Sequence, residues 1–208
     1  MTQPPASVLL VHGAGSGPWI YRDWGDAFEN IPITAVDLQE GLDVARSSMN
    51  DYAERVSDAG KQMKQPVAIV GWSMGGLVAM YVAHQLRLHS LALIEPSPPA
   101  ETQGFHPHVE LTDGAFNAEE VYGKFPADIL SRPESSLARA ERKRGMSVPA
   151  LPRRTLIIYG DDFRVERGEA LVDFYNVEGR FFVGLGHWDL VLNPKVREAV
   201  SSFIGVNT

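Results

Sequence analysis

The chain contains no cysteine. Disulfide scaffolds, thiolate-bound zinc or iron–sulfur centres, thiol redox chemistry and cysteine nucleophiles are therefore excluded together. Long apolar runs are also missing, and none approaches the roughly 20 residues that a membrane-spanning helix needs. The opening, MTQPPASVLLVHG, has no basic segment and no cleavage site. Its short apolar run, Val8–Val11, is expected to be a first core strand and not a secretion signal. Positive charge is scarce: 19 Lys and Arg stand against 26 Asp and Glu, a net charge of −7. Such a balance disfavours nucleic acid and anionic membrane surfaces as partners. No G-x-G-x-x-G follows an apolar run and no P-loop Gly-Lys-Ser/Thr occurs, so no nucleotide or organic cofactor is implied. The expectation is one cytoplasmic domain over residues 1–208, without cofactor, nucleic-acid partner or membrane attachment. The oligomeric state is left open.

What is present is an ordinary globular composition, 44% hydrophobic and 22% charged over 208 residues. A chain of this size buries roughly 70% of its unfolded surface and needs no staple. Six short apolar runs recur: Val8–Val11, Ile31–Val36, Val67–Val70, Leu91–Ile94, Leu156–Tyr159 and Phe181–Val183. They are continuous, as in strands buried on both faces of a parallel sheet. Helical patterns lie between them. In residues 51–64, Tyr52, Val56, Ala59 and Met63 share one face, residues 74–86 are nearly all apolar, and 166–175 and 194–204 fit two more helices. Pro194 suits the first turn of the last one. Alternating strands and helices predict a three-layer α/β fold around a mainly parallel sheet of about six strands.

Residues 97–153 break the rhythm. Within them, 99–131 hold one Lys against six acids, while 132–154 hold seven Lys/Arg against two Glu. Two or three short helices with a polar outer surface are expected, either as a lid over an active site or as a solvated insertion. The basic stretch Arg139 to Arg154 likewise suits either acidic substrates or a solvated helix.

The strongest chemical signal is VAIVGWSMGGLVAMYVAH, residues 67–84, with G-x-S-x-G as Gly71-Trp72-Ser73-Met74-Gly75. The bare motif is weak, but an apolar strand precedes it and an apolar helix follows. That strand–turn–helix lifts a serine hydroxyl above a sheet at a helix N-terminus, where the dipole favours developing negative charge. His187, in GLGHWDLVLNP, follows an apolar run and a flexible Gly-x-Gly, so it is expected on a loop beyond a strand end. Its imidazole can relay a proton at neutral pH. Elsewhere, His84 and His89 flank a helix end, and His106-x-His108 lacks a third ligand for a metal site.

Taken with VHGAGSGPW at residues 11–19, these motifs resemble the α/β-hydrolase superfamily over almost the whole chain. The resemblance implies an oxyanion hole from the N–H groups of Ala14 and Met74, with His12 bracing the loop by hydrogen bonding. It also implies a Ser73–Asp162–His187 triad in the family's chain order. The acid position departs from the pattern. In LIIYGDDFRVERG the usual place, three residues after Gly160, holds Phe163, so a loop one residue shorter would offer Asp162. Asp161 and Glu95, in LIEPSPP, are the alternatives. Lack of the two leading strands common in larger members is a further expectation. The implied activity is hydrolysis of a small-molecule carboxylic ester, with Trp19, Trp72 and Trp188 as pocket or core residues. The alternatives are a lyase, acyltransferase or perhydrolase on the same triad, or a non-catalytic binding protein.

Overall fold

The computed structural model describes residues 3–205. Six parallel strands form one sheet in the order β2-β1-β3-β4-β7-β8. Its first strands are β1 (Ser7–Val11) and β2 (Ile33–Val36), followed by helix α1 (Met49–Gln62) and β3 (Val67–Trp72). Next come α2 (Met74–Val82) and β4 (Leu88–Ile94). The inserted segment then supplies α3 (Ala100–Gln103), a two-residue pair β5 (Ala115–Phe116) and β6 (Glu134–Ser135), α4 (Ala118–Tyr122) and α5 (Ser136–Arg144). The sheet resumes with β7 (Thr155–Tyr159), α6 (Ala170–Tyr175), β8 (Glu178–Phe181), α7 (His187–Leu192) and α8 (Pro194–Ile204).

Four of the six apolar runs became largely buried strands, β1, β3, β4 and β7, and Ile31–Val36 became the half-exposed edge strand β2. β1 and β3 are buried along their whole lengths, and each side of the sheet has its own core. Leu9, Val11, Ile69, Leu91 and Leu93 face α1 and α2, whereas Val8, Leu10, Val70, Ala92 and Ile94 face α7 and α8. This is the period-two alternation of a sheet covered on both sides. Helix α1 begins at a capping box, in which Ser48 accepts from the Asp51 N–H and Asp51 accepts from the Ser48 N–H. Its expected face is inward: Tyr52 and Val56 are fully buried, and Ala59 and Met63 pack against them.

Several boundaries shift by one to four residues from the expected ones, and two elements differ further. The last strand is Glu178–Phe181, not Phe181–Val183, and Val183 is 78% exposed. β8 is an edge strand, paired only with β7. Half-exposed residues such as Glu178 and Arg180 satisfy it, so it carries no apolar run. The helix expected over 166–175 starts as a wide helical turn at Arg164–Glu169 before α6. Among the described residues, no helix is long and apolar enough to cross a membrane.

The insertion is bound to the sheet by buried polar groups. Glu134, at the start of β6, is fully buried. Its carboxylate accepts from the Gly15 N–H at 2.9 Å, the Tyr52 hydroxyl at 2.6 Å and the Ser135 N–H at 2.8 Å. Burial, with the charge of Glu134 adding to it, holds the Tyr52 hydroxyl well above the ordinary tyrosine range, so it remains a donor. Arg132 donates its backbone N–H to Gly15 O at 2.9 Å and grips Asp37 with both terminal nitrogens, at 2.6 and 3.0 Å. The insertion thereby holds both the N–H and the C=O of Gly15.

Candidate active site

The site is built on strand ends at the C-terminal edge of the sheet, where ligands of open α/β sheets bind. β3 ends at Trp72 and α2 starts at Met74, leaving Ser73 as the single residue of the turn. Its backbone sits at φ 55°, ψ −122°, a conformation a non-glycine residue adopts only when its surroundings impose it. The surroundings are close backbone contacts. A Cβ on Gly75 would lie 2.2 Å from His12 O, and one on Gly71 would lie 2.7 Å from Gly75 O. Only glycines let α2 start this near β1, which is why the motif has them at these two places. The Ser73 N–H donates to Ile94 O at 3.1 Å, and Ser73 O accepts from the Ser97 N–H at 2.8 Å.

The next strand ends in a similar way. Glu95 follows β4 with φ 41°, its N–H donating to Ile158 O at 2.7 Å. Its side chain is completely buried. One carboxylate oxygen accepts from the Gly160 N–H at 3.1 Å, and the other lies 2.5 Å from Nδ1 of His187. His187 is the first residue of α7, not a loop residue as expected. Its ring stacks on Trp72 with centroids 4.9 Å apart and meets Phe163 edge-on at 5.3 Å. Burial pushes the imidazole below its ordinary pKa, and the hydrogen bond to Glu95 opposes that shift.

Asp162, expected to be the partner of the ring, lines the same cavity as Ser73 but bonds the main chain instead. It is exposed, and its carboxylate accepts the backbone N–H of His187 at 2.7 Å. Asp161 accepts the Gly184 N–H, also at 2.7 Å. With one residue fewer, the loop after β7 reaches the main chain of 184–187 and stops short of the ring. The position next to Nδ1 is filled from β4 instead.

Ser73, His187 and Ala14 line one cavity of about 350 Å³ with Trp72, Trp188, Tyr122 and Phe125. Trp19 is not among its lining residues; its indole N–H donates to Leu130 O at 3.0 Å. Met74 stands at the N-terminus of α2, beside Ser73. His12 is fully buried and hydrogen-bonded at both ring nitrogens, to Gly13 O at 2.9 Å and from the Leu38 N–H at 3.1 Å. It braces the loop as the resemblance implied. Sequence reasoning missed Glu134, which holds that loop from the insertion, and Arg167 in the cavity wall, where it meets Arg142 of the basic stretch. Nothing in the spacing of Glu134 or Arg167 signals that they converge on the site. Among the described residues, no group of three or more His, Asp or Glu side chains is arranged to hold a metal ion.

Comparison with known proteins agrees with this architecture. Residues 8–199 match the model of the family described as "Alpha/beta hydrolase family". A pimeloyl-[acyl-carrier protein] methyl ester esterase of Neisseria meningitidis serogroup A is 34% identical over 89 residues, which are 41% of this chain and 28% of that protein. The match thus spans under a third of that relative's length. Tomato methylketone synthase I superposes with a TM-score of 0.69 at 12% identity, covering 99% of both chains. A pyrethroid hydrolase superposes at 0.64 and 16%, covering 96% of this chain and 97% of the other. At such identities the structures speak for the fold alone.

Proposed function

The chain belongs to the alpha/beta hydrolase family, and from that premise we propose that it is a serine hydrolase cleaving a carboxylic ester through Ser73, His187 and Glu95. The observation that carries this reading is the strained Ser73 sharing a cavity with an imidazole whose Nδ1 rests on a buried carboxylate. In the reaction, Nε2 of His187 takes the Ser73 hydroxyl proton as Oγ attacks the ester carbonyl. Glu95 fixes the tautomer with hydrogen on Nδ1 and stabilises the imidazolium that forms. The oxyanion rests on the Ala14 and Met74 N–H groups, each such donor contributing on the order of 3 kcal/mol to transition-state binding. The imidazolium then protonates the departing alcohol, and a water molecule activated by the same nitrogen hydrolyses the acyl-enzyme.

The esterase named among the relatives supports the ester class, and the burial of the imidazole suits a base that is neutral at physiological pH. A fluorophosphonate probe tests the reading. Wild-type protein is expected to be labelled on Ser73 and to hydrolyse short nitrophenyl esters, while Ser73→Ala does neither. Absence of both labelling and turnover in the wild type would overturn it.

A further inference from the structure

Tyr122, Arg142 and Arg167 are shared between the cavity at Ser73 and a smaller one of about 170 Å³. Arg139 and Lys143 line the far side of the smaller cavity. Some half-buried arginines of this chain have acidic partners, as Arg55 has Glu40, Arg132 has Asp37 and Arg180 has Glu178, and others donate to main-chain carbonyls, as Arg144 does to Pro107, Arg154 to Phe203 and Arg197 to Leu192. Among the described residues, no carboxylate lies within ion-pair distance of Arg139, Arg142, Lys143 or Arg167.

The two arginines common to both cavities are half-buried. Arg142 donates only to neutral groups, the Tyr122 hydroxyl at 2.8 Å and Ser97 Oγ at 3.4 Å, and its buried Nε has no protein partner. Arg167 stacks on Phe163, its guanidinium carbon 3.8 Å from the ring centre. Each arginine is one residue removed from the reacting groups. Ser97, which Arg142 touches, donates its N–H to Ser73 O, and Phe163 lies against His187. Burial, together with the neighbouring charge of Arg142, lowers the pKa of Arg167. The nearby charge of Glu95 opposes that shift but is already engaged by His187. Half-buried cations without a counter-charge are costly unless a ligand supplies one. The helix dipole favours cations in the last turn of α5, where Arg142 sits. It does not account for Arg167, which comes from the wide turn after β7 and meets Arg142 at the same wall.

We propose that the ester substrate carries an anionic group, a carboxylate or a phosphate, bound between Arg142 and Arg167 while its carbonyl faces Ser73. The planar guanidinium offers two parallel donors to either oxyanion; the rest of the cavity wall is largely aromatic, and its one carboxylate, Asp162, is held by the His187 N–H. This rests on the serine hydrolase reading for the placement of the carbonyl, but anion recognition stands apart from turnover and is measured separately.

The test pairs the monomethyl esters of succinate, glutarate and adipate, and methyl 3-phosphonopropanoate, with their neutral dimethyl or fully esterified counterparts. Calorimetric binding is measured on Ser73→Ala and kcat/KM on the wild type. At least one anionic ester is expected to bind, and to be turned over, at least about tenfold better than its neutral partner. The carboxylate and phosphonate arms show which anion the site takes. In Arg142→Gln/Arg167→Gln the anionic-to-neutral ratio should fall towards one, and in Arg142→Lys/Arg167→Lys part of the preference should return. Selective binding without turnover of any ester would leave the anion site standing and overturn the hydrolase reading alone. No selective binding by Ser73→Ala, whether or not the wild type turns over neutral esters, would overturn the anion site.

Discussion

Two loops at the C-terminal edge of the sheet bring carboxylates to His187, and they treat the residue differently. The loop after β4 offers Glu95, buried, in a strained backbone conformation and 2.5 Å from the ring. The loop after β7 offers Asp161 and Asp162, both exposed and both spent on backbone N–H groups of residues 184 and 187. One carboxylate addresses the imidazole and the other two position the segment that carries it. A buried carboxylate beside an imidazole loses little of its field to solvent, whereas an exposed one is screened. The division matches what each role requires.

Breaking the first loop should have the largest effect. Glu95→Gln is expected to slow fluorophosphonate labelling of Ser73 by roughly 10⁴-fold, the scale seen when a triad acid is neutralised and the wrong tautomer results. Near-wild-type labelling would remove Glu95 from the mechanism. The pH dependence sharpens the same contrast. The base must be neutral, and burial holds His187 below its ordinary pKa of about 6.5, so the acid limb of the labelling rate should lie below that pH. Because the Glu95 contact opposes this shift, the residual rate in Glu95→Gln should have its limb at lower pH still. A limb moved upward would contradict the assignment. Breaking the second loop should cost less. Asp162→Asn weakens one hydrogen bond to main chain, about 1 kcal/mol, or some 2–4 °C in melting temperature, and should slow labelling by less than about tenfold. Asp161→Asn, further from the imidazole, should melt slightly early and label at close to the wild-type rate.

The legible parts of the site are those where one residue type is needed at a fixed spacing. Gly71 and Gly75 are dictated by backbone contacts too close for any Cβ, and such constraints leave a pattern in the sequence around Ser73. His187 stands out because it ends the last strand-and-turn unit of the chain. The carboxylate beside His187 was harder to find, since any carboxylate that reaches Nδ1 can stand there and the reach depends on loop length in three dimensions. One signal did point to Glu95: it follows the apolar run Leu91–Ile94 directly, without a polar flank, so its charge had to find a partner inside. The missing residue after Gly160 was a second. The buried strands were legible from their apolar runs; of the two edge strands, β2 keeps such a run and was legible, while β8 is built on Glu178, Gly179 and Arg180 and was not. Arg142 and Arg167 meet only because the insertion folds back over the sheet, and no local pattern records a contact between such distant segments.

Proton NMR of the His187 ring tests most directly whether Glu95 holds the imidazole. A strongly downfield Nδ1 proton resonance is expected in the wild type, retained in Asp162→Asn and lost in Glu95→Gln. Loss of that resonance in Asp162→Asn, with retention in Glu95→Gln, would contradict the account.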